Sequence, residues 1–193
     1  PESMKEKYTL VIVGSIHETE VNVLKQKLKD QKCFNYKIYT YVSDNELKQL
    51  YTNAELFIFP SLDEGFGLPV LEAMQSGAVV CCGRNSSLIE VAGLEDMFFD
   101  ASNPQDISNK IQDLLLNSNL RQKILQHSIS QYKKFSWEIT ANRVLEVFKF
   151  SDSLQKHSNN INLNKLKPKL FVCVLSSITK VHNDIIRRLS QYF

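Results

Sequence analysis

Along the first two-thirds of the chain, short apolar runs alternate with segments whose apolar residues return every third or fourth position. "YTLVIVG" is a continuous apolar run closed by Gly14 and reads as a buried strand. "ETEVNVLKQKLKDQ" follows, with Val21, Leu24 and Leu28 at helical spacing. "YKIYTYV" is strand-like, rich in β-branched and aromatic residues. "SDNELKQLYTNA" opens on Ser43 and Glu46 at the spacing of a capping box, and puts Leu47, Leu50 and Tyr51 on one helical face. The alternation continues through "ELFIFP" (strand), "LPVLEAMQSG" (helix), "AVVCC" (strand), "SSLIEVAG" (short helix) and "MFFD" (strand). Pro69 falls where a first-turn proline is tolerated and Gly77 where a helix ends, while Ser87 and Glu90 repeat the capping spacing. Strands alternating with helices predict an α/β fold with a Rossmann-like, doubly wound parallel sheet.

After Asp100 the pattern turns helical. Asn103 and Pro104 read as N-cap and first residue of a helix carrying Ile107, Ile111 and Leu114. Two more helices follow, over Leu120 to Tyr132 and from Ser136 towards Phe150, so that a domain is expected over 1–150 with a helical C-terminal extension. The polar, asparagine-rich stretch 151–168 lacks periodicity and reads as a linker. Residues 169–193 hold "LFVCVLSS", strand-like, and "HNDIIRRLSQYF", an amphipathic helix: a strand–helix fragment, either the start of a second domain or a decoration on the first.

Composition narrows the class. With 193 residues and 43% of them hydrophobic, the chain can bury a sizeable core. Its 23 basic and 21 acidic residues give a net charge of +2, too balanced for a nucleic-acid binder despite the small cluster Lys165, Lys167 and Lys169. The four cysteines, Cys33, Cys81, Cys82 and Cys173, have no CxxC spacing. They predict buried free thiols rather than a disulfide framework or zinc site, and a reducing, cytoplasmic setting. No apolar run approaches a membrane span, and no signal-peptide pattern opens the chain. A first residue Pro1 suggests a piece of a longer polypeptide.

The chemistry gathers in "FPSLDEGFGLPVLEAMQSG", Phe59 to Gly77. In an open α/β sheet, ligands bind beyond the carboxyl ends of the strands, which is where the loop Ser61 to Leu68 is expected. The helix that follows offers backbone N–H groups without intrahelical partners, and its dipole favours an anion such as phosphate. Gly65 and Gly67 permit positive φ and clear the approach. Glu72, about one turn inside the helix, can accept hydrogen bonds from both hydroxyls of a ribose, and Glu64 from a second polyol beyond the phosphates. The plainer alternative is that Glu72 only favours the helix N-terminus and the glycines only make a turn. The dense Glu-Gly-x-Gly-x-Pro-x-x-x-Glu string between strand and helix weighs against it.

"YVSDNELKQLYTNAELFIFPSLDEGFGLPVLEAMQSGAVV" resembles the C-terminal, nucleotide-sugar-binding half of retaining GT-B glycosyltransferases, the family of many bacterial mannosyl- and glucosyltransferases. The likeness runs from about Leu10 to Phe148, through "SSLIEV", "FFDASNPQDISNKIQDLL" and "KKFSWEITA". It implies that Glu64, the catalytic position of the set, contacts donor-sugar hydroxyls. It assigns the nucleotide ribose to Glu72, the sugar and diphosphate to main-chain amides around Gly65, Phe66, Gly67 and Leu68, and the nucleobase to the backbone near Val42. The donor would be UDP- or GDP-linked, with no metal and no cofactor, and mannose from GDP-mannose is the preferred sugar. Transfer to a glycan or lipid-linked acceptor, with retention and in cell-envelope polysaccharide biosynthesis, would follow.

Departures from the family pattern bear on activity. Relatives carry an Arg and a Lys that grip the diphosphate just after a first strand, which would lie upstream of Pro1, as would the acceptor-binding N-terminal half. Peripheral membrane association would arise through that half. Thr40 replaces a frequent Gly before "YVSD", "EVAGLEDMFFD" lacks the usual Gly-Asp-Ala-like turn, and "SSITKVHND" has no glycine. By itself the chain is therefore expected to hold half an active site and to be inactive. The rival reading is a non-catalytic or degenerate module that binds nucleotide or packs domains. A nicotinamide-dependent oxidoreductase is disfavoured because no GxGxxG follows the first strand. His17 reads as a solvated loop residue, His182 as a remote catalytic candidate, Trp137 as a helix anchor in the core, Arg84 and Asn85 as loop structure, and Lys133 and Lys134 as a solvated helix end.

Overall fold

In the computed structural model the described residues are 6–157, with the side chains of 152–157 outside the description. They form β1 (Leu10–Val13), α1 (Glu18–Asp30), β2 (Tyr36–Tyr39), α2 (Asp44–Asn53), β3 (Phe57–Phe59), α3 (Leu68–Gln75), β4 (Val80–Gly83), α4 (Leu88–Ala92), β5 (Phe98–Phe99), α5 (Pro104–Leu116), α6 (Ser118–Gln131) and α7 (Trp137–His157). The chain divides into two compact units, Pro1–Ser136 and Trp137–Phe193. Of the second unit only α7 is described, and it runs through 151–157, residues expected to begin a linker. The strand and helix expected over 169–193, with Cys173 and His182, lie outside the described residues.

Every strand pairing in the first unit is parallel, as the strand–helix alternation predicts. The strands form two sheets rather than one, a two-stranded sheet β1-β2 and a three-stranded sheet β3-β4-β5. The core sits on the second: β4 and β5 are buried throughout, and Val70, Val80, Leu88, Met97, Leu114 and Ile124 are fully enclosed around them. "YTLVIVG" departs from its expected burial, with Leu10, Val11 and Val13 each 38–40% exposed. Among the described residues β1 has a strand neighbour on one side only, β2, and α1 contributes no buried residue to cover it.

Local signals in the sequence are mostly realised. Ser43 and Glu46 close their capping box at α2: Ser43 N–H donates to the Glu46 carboxylate at 2.8 Å and Glu46 N–H to Ser43 Oγ at 3.4 Å. Asn103 caps α5 through Gln105 N–H and Asp106 N–H, with Pro104 next. Gly77 ends α3 with φ +82. At α4, by contrast, Ser87 makes no cap bond, because its hydroxyl is used elsewhere. Cys81 and Cys82 are buried free thiols and Cys33 is a half-buried one.

Candidate functional site

The site is built where β3 and β4 run side by side, with Phe57, Ile58 and Phe59 opposite Val80, Cys81 and Cys82. Parallel pairing delivers both following loops to one edge, the carboxyl end of the sheet. The loop after β4 clasps the loop after β3. The Asn85 side-chain amide donates to Ser61 C=O, and Ser86 Oγ donates to Asp63 Oδ1 at 2.6 Å while accepting from Glu64 N–H at 3.2 Å. Ser87 Oγ donates to Glu64 C=O at 2.8 Å. Both backbone groups of Glu64 are thus fixed by serines, whereas its carboxylate has no hydrogen-bond or ion-pair partner among the described residues.

Two glycines make this geometry possible. At Gly83 a Cβ would lie 2.5 Å from Ser61 O, so any side chain there would separate the clasped loops. Gly67 is the N-cap of α3 with φ +95, and a Cβ there would sit 2.5 Å from Leu88 Cδ2. Gly65 does not share this constraint: it lacks a positive φ, and a Cβ would meet nothing within 4 Å. The expected conformational role therefore falls on Gly67 alone.

Past Gly67 the chain enters α3 through Leu68 and Pro69. Among the described residues, no protein group accepts from the amides of Gly65, Phe66, Gly67 or Leu68; Gly65, Phe66 and Leu68 are exposed and Gly67 is buried. Glu72 lies further along α3, and its Oε2 accepts from the Tyr51 hydroxyl at 3.1 Å. Tyr51 is itself buried, edge-on to Phe57 with ring centroids 5.2 Å apart. Burial first, then the Glu72 charge and their hydrogen bond, pushes the Tyr51 phenol well above its ordinary range. Below the site, burial likewise raises the Cys81 thiol and pushes Cys82 up to about 12, marking both as inert packing groups.

The expected donor set thus occupies one strand–loop–helix segment, Glu64 to Glu72, while Val42 stands apart, just ahead of the α2 N-cap beyond the end of β2. The Phe66 ring packs edge-on to Phe135 at 5.9 Å, and it is Phe135 that reaches the core cluster. Trp137, expected as the core anchor of this stretch, is 72% exposed. Arg84 is taken up by Glu95 at 2.9 Å, and His17 is the N-cap of α1, beside Thr19. The clasp of Asp63, Ser86 and Ser87 and the Tyr51 tether went unnoticed in the sequence. The signal that could have revealed the clasp is "NSS" directly after a strand parallel to the acidic one. No group of three or more His, Cys, Asp or Glu among the described residues could hold a metal ion.

A parallel α/β layout with an acid–glycine loop at a strand's carboxyl end defines a domain of the GT-B glycosyltransferase type. The chain belongs to the family of glycosyl transferases group 1, whose model matches residues 1–131. It is 34% identical over 150 residues to the serotype-specific mannosyltransferase WbdA of Escherichia coli, covering 77% of this chain and 18% of that protein. It is 38% identical over 109 residues to the O-antigen chain mannosyltransferase B of Escherichia coli, covering 56% of this chain and 29% of that one. The chain thus spans under a third of these relatives' length. Two solved structures share its fold. Sucrose-phosphate synthase from Thermosynechococcus elongatus has a TM-score of 0.66 at 19% identity, over 79% of this chain and 41% of its own. The catalytic domain of cholesterol-alpha-glucosyltransferase from Helicobacter pylori has a TM-score of 0.55 at 22% identity, over 65% and 79%.

Proposed function

We propose that this chain forms the donor-binding half of a glycosyltransferase that moves a hexose from a nucleotide-sugar to a glycan or lipid-linked acceptor, with retention of configuration. The supporting observation is the segment Glu64 to Glu72, where a carboxylate and four amides without a protein partner among the described residues are followed by a second carboxylate beyond the end of β3. In this reading Glu64 accepts from donor-sugar hydroxyls, the amides of Gly65 to Leu68 and the α3 N-terminus meet the diphosphate, and Glu72 takes the ribose diol. Catalysis is then mainly electrostatic, through amides preorganised for the charge on the departing diphosphate, and it calls for no metal. The mannosyltransferase names of the two relatives favour mannose, and the O-antigen name of one favours a place in cell-envelope polysaccharide synthesis; GDP as the carrier is part of the proposal. Among the described residues no helix is long and apolar enough to cross a membrane.

Titrating GDP-mannose and UDP-glucose into the chain by calorimetry, with EDTA present, tests this reading. Binding of GDP-mannose is expected, weakened tenfold or more in Glu72→Ala, since each charge-assisted hydrogen bond contributes about 1.5–3 kcal/mol. Absence of binding by every donor would count against the donor site. A second reading, a nucleotide-binding module without transfer activity, draws support from Arg84: the cation that follows β4 is already paired with Glu95 and is not free to grip a diphosphate.

A further inference from the structure

Tyr51 does more than fill the space between α2 and α3. We infer that its hydroxyl is a positioning group for Glu72, holding the carboxylate in the one orientation that receives a ribose diol; this rests on the donor-site reading above. Glu72 is exposed, and a free glutamate on a helix surface samples several rotamers. Here one oxygen is tied by a donor whose ring is buried and locked edge-on against Phe57. Ser43 and Glu46 cap the helix that carries Tyr51, so the tether is anchored in turn.

The arithmetic of the carboxylate fits this role. An ionised carboxylate offers about four acceptor positions. Tyr51 uses one, leaving room for both hydroxyls of a cis diol. A tyrosine is also suited to the task because it stays protonated, and therefore a donor, at any physiological pH. Were Tyr51 only a core residue, a phenylalanine would serve equally: the ring contacts would remain and no hydroxyl would need an acceptor.

Tyr51→Phe therefore isolates the hydroxyl. The first measurement needs no ligand. The Glu72 carboxylate ¹³C resonance should move in Tyr51→Phe at neutral pH, and relaxation of its side-chain methylenes should report a looser carboxylate, with the melting temperature close to wild type. An unmoved resonance overturns the tether. The second compares GDP with 2′,3′-dideoxy-GDP. GDP affinity should fall about five- to twentyfold in Tyr51→Phe, less than the roughly tenfold to hundredfold of a whole hydrogen bond to a charged group, because the diol bonds themselves remain. The dideoxy nucleotide, which has no diol to offer, should bind both proteins alike. Equal GDP affinity in the two proteins overturns the positioning role while leaving the donor site standing. Equal losses for both nucleotides overturn it in favour of simple packing. A wild-type chain that binds no GDP overturns the donor reading and this inference together.

Discussion

The two sheets of the first unit carry similar sequence patterns and very different interiors. β4 is buried along its whole length, whereas β1 is exposed at Leu10, Val11 and Val13 and half-buried only at Ile12, although "AVVCC" and "TLVIV" are comparably apolar. Every residue of the buried core lies between Tyr51 and Ile124. A run of apolar residues states what a strand can tolerate, and its neighbours decide what it receives. β4 has β3 on one side and β5 on the other with α3 and α4 packed near, while among the described residues β1 has β2 alone. The candidate site stands on the well-packed sheet, and its clasped loops inherit that rigidity.

The largest expected effects come from truncating matched residues in the two regions. Leu88 is fully buried and backs Gly67, so Leu88→Ala should destabilise by about 2–5 kcal/mol, as buried leucines do. Leu10→Ala, at a residue 40% exposed, should cost well under half of that. Urea denaturation of both variants checks the contrast, and equal losses would break it. Glycines repeat the comparison more gently. Gly67→Ala places a Cβ against Leu88 at positive φ and should cost about 1–3 kcal/mol and loosen donor binding. Gly14→Ala, whose Cβ would meet the Ile16 side chain at ordinary contact distance, 3.6 Å to Cγ1 and 4.0 Å to Cδ1, should leave the melting temperature nearly unchanged.

The same contrast explains what could be read from the sequence. Helix ends, the alternation of strands with helices and the acid–glycine string were legible because each depends on near neighbours: the Ser43 box, the Asn103 cap and the Gly77 stop all close within four residues. Burial of β1 was not legible, since it depends on what lies beside the strand in space. Ser87 shows the limit most clearly. Its spacing to Glu90 announces a cap, yet its hydroxyl goes to Glu64 C=O, 23 positions away in sequence. A tertiary acceptor outcompeted a local one. Tyr51 was placed correctly on an apolar face, but its bond to Glu72 spans 21 positions and left no local trace. Trp137 failed in the opposite sense, for a large aromatic beside a core segment need not enter it, and Phe135 did.

A smaller effect, confined to alkaline solution, follows from the buried thiols and phenol. Burial makes Cys81, Cys82 and Tyr51 all titrate higher in the folded chain than an ordinary thiol or phenol does. A raised folded pKa means the folded state holds its proton more tightly, so this stabilisation is complete below the unfolded pKa and drains away as pH climbs towards the folded one. The stability of the chain should therefore decline from about pH 9 upwards. All three groups belong to the well-packed region, so hydrogen exchange should show β4 and β5 losing protection there with little further change in β1 and β2. Cys82→Ala should flatten the decline between pH 9 and 12, and an unchanged slope would detach it from the thiol.

The smallest expected effect separates two serines that look alike in sequence. Ser43 and Ser87 each precede a helix with a glutamate three positions on. Only Ser43 caps its helix, so Ser43→Ala should remove roughly 1 kcal/mol through α2, and Ser43→Asp should restore part of it, because aspartate accepts from Glu46 N–H as Ser43 does but cannot replace the donation of Ser43 Oγ to the Glu46 carboxylate at 2.6 Å. Ser87 instead donates to a backbone carbonyl of the other loop, a role that an acceptor-only aspartate cannot fill. Ser87→Asp should therefore fail to rescue Ser87→Ala, and its loss should appear as weaker donor binding more than as a lower melting temperature, because the clasp orients Glu64 rather than the core. Rescue of both sites by aspartate would mean that Ser87 is a cap after all, and that the Glu64 loop is held by Asn85 and Ser86 without it.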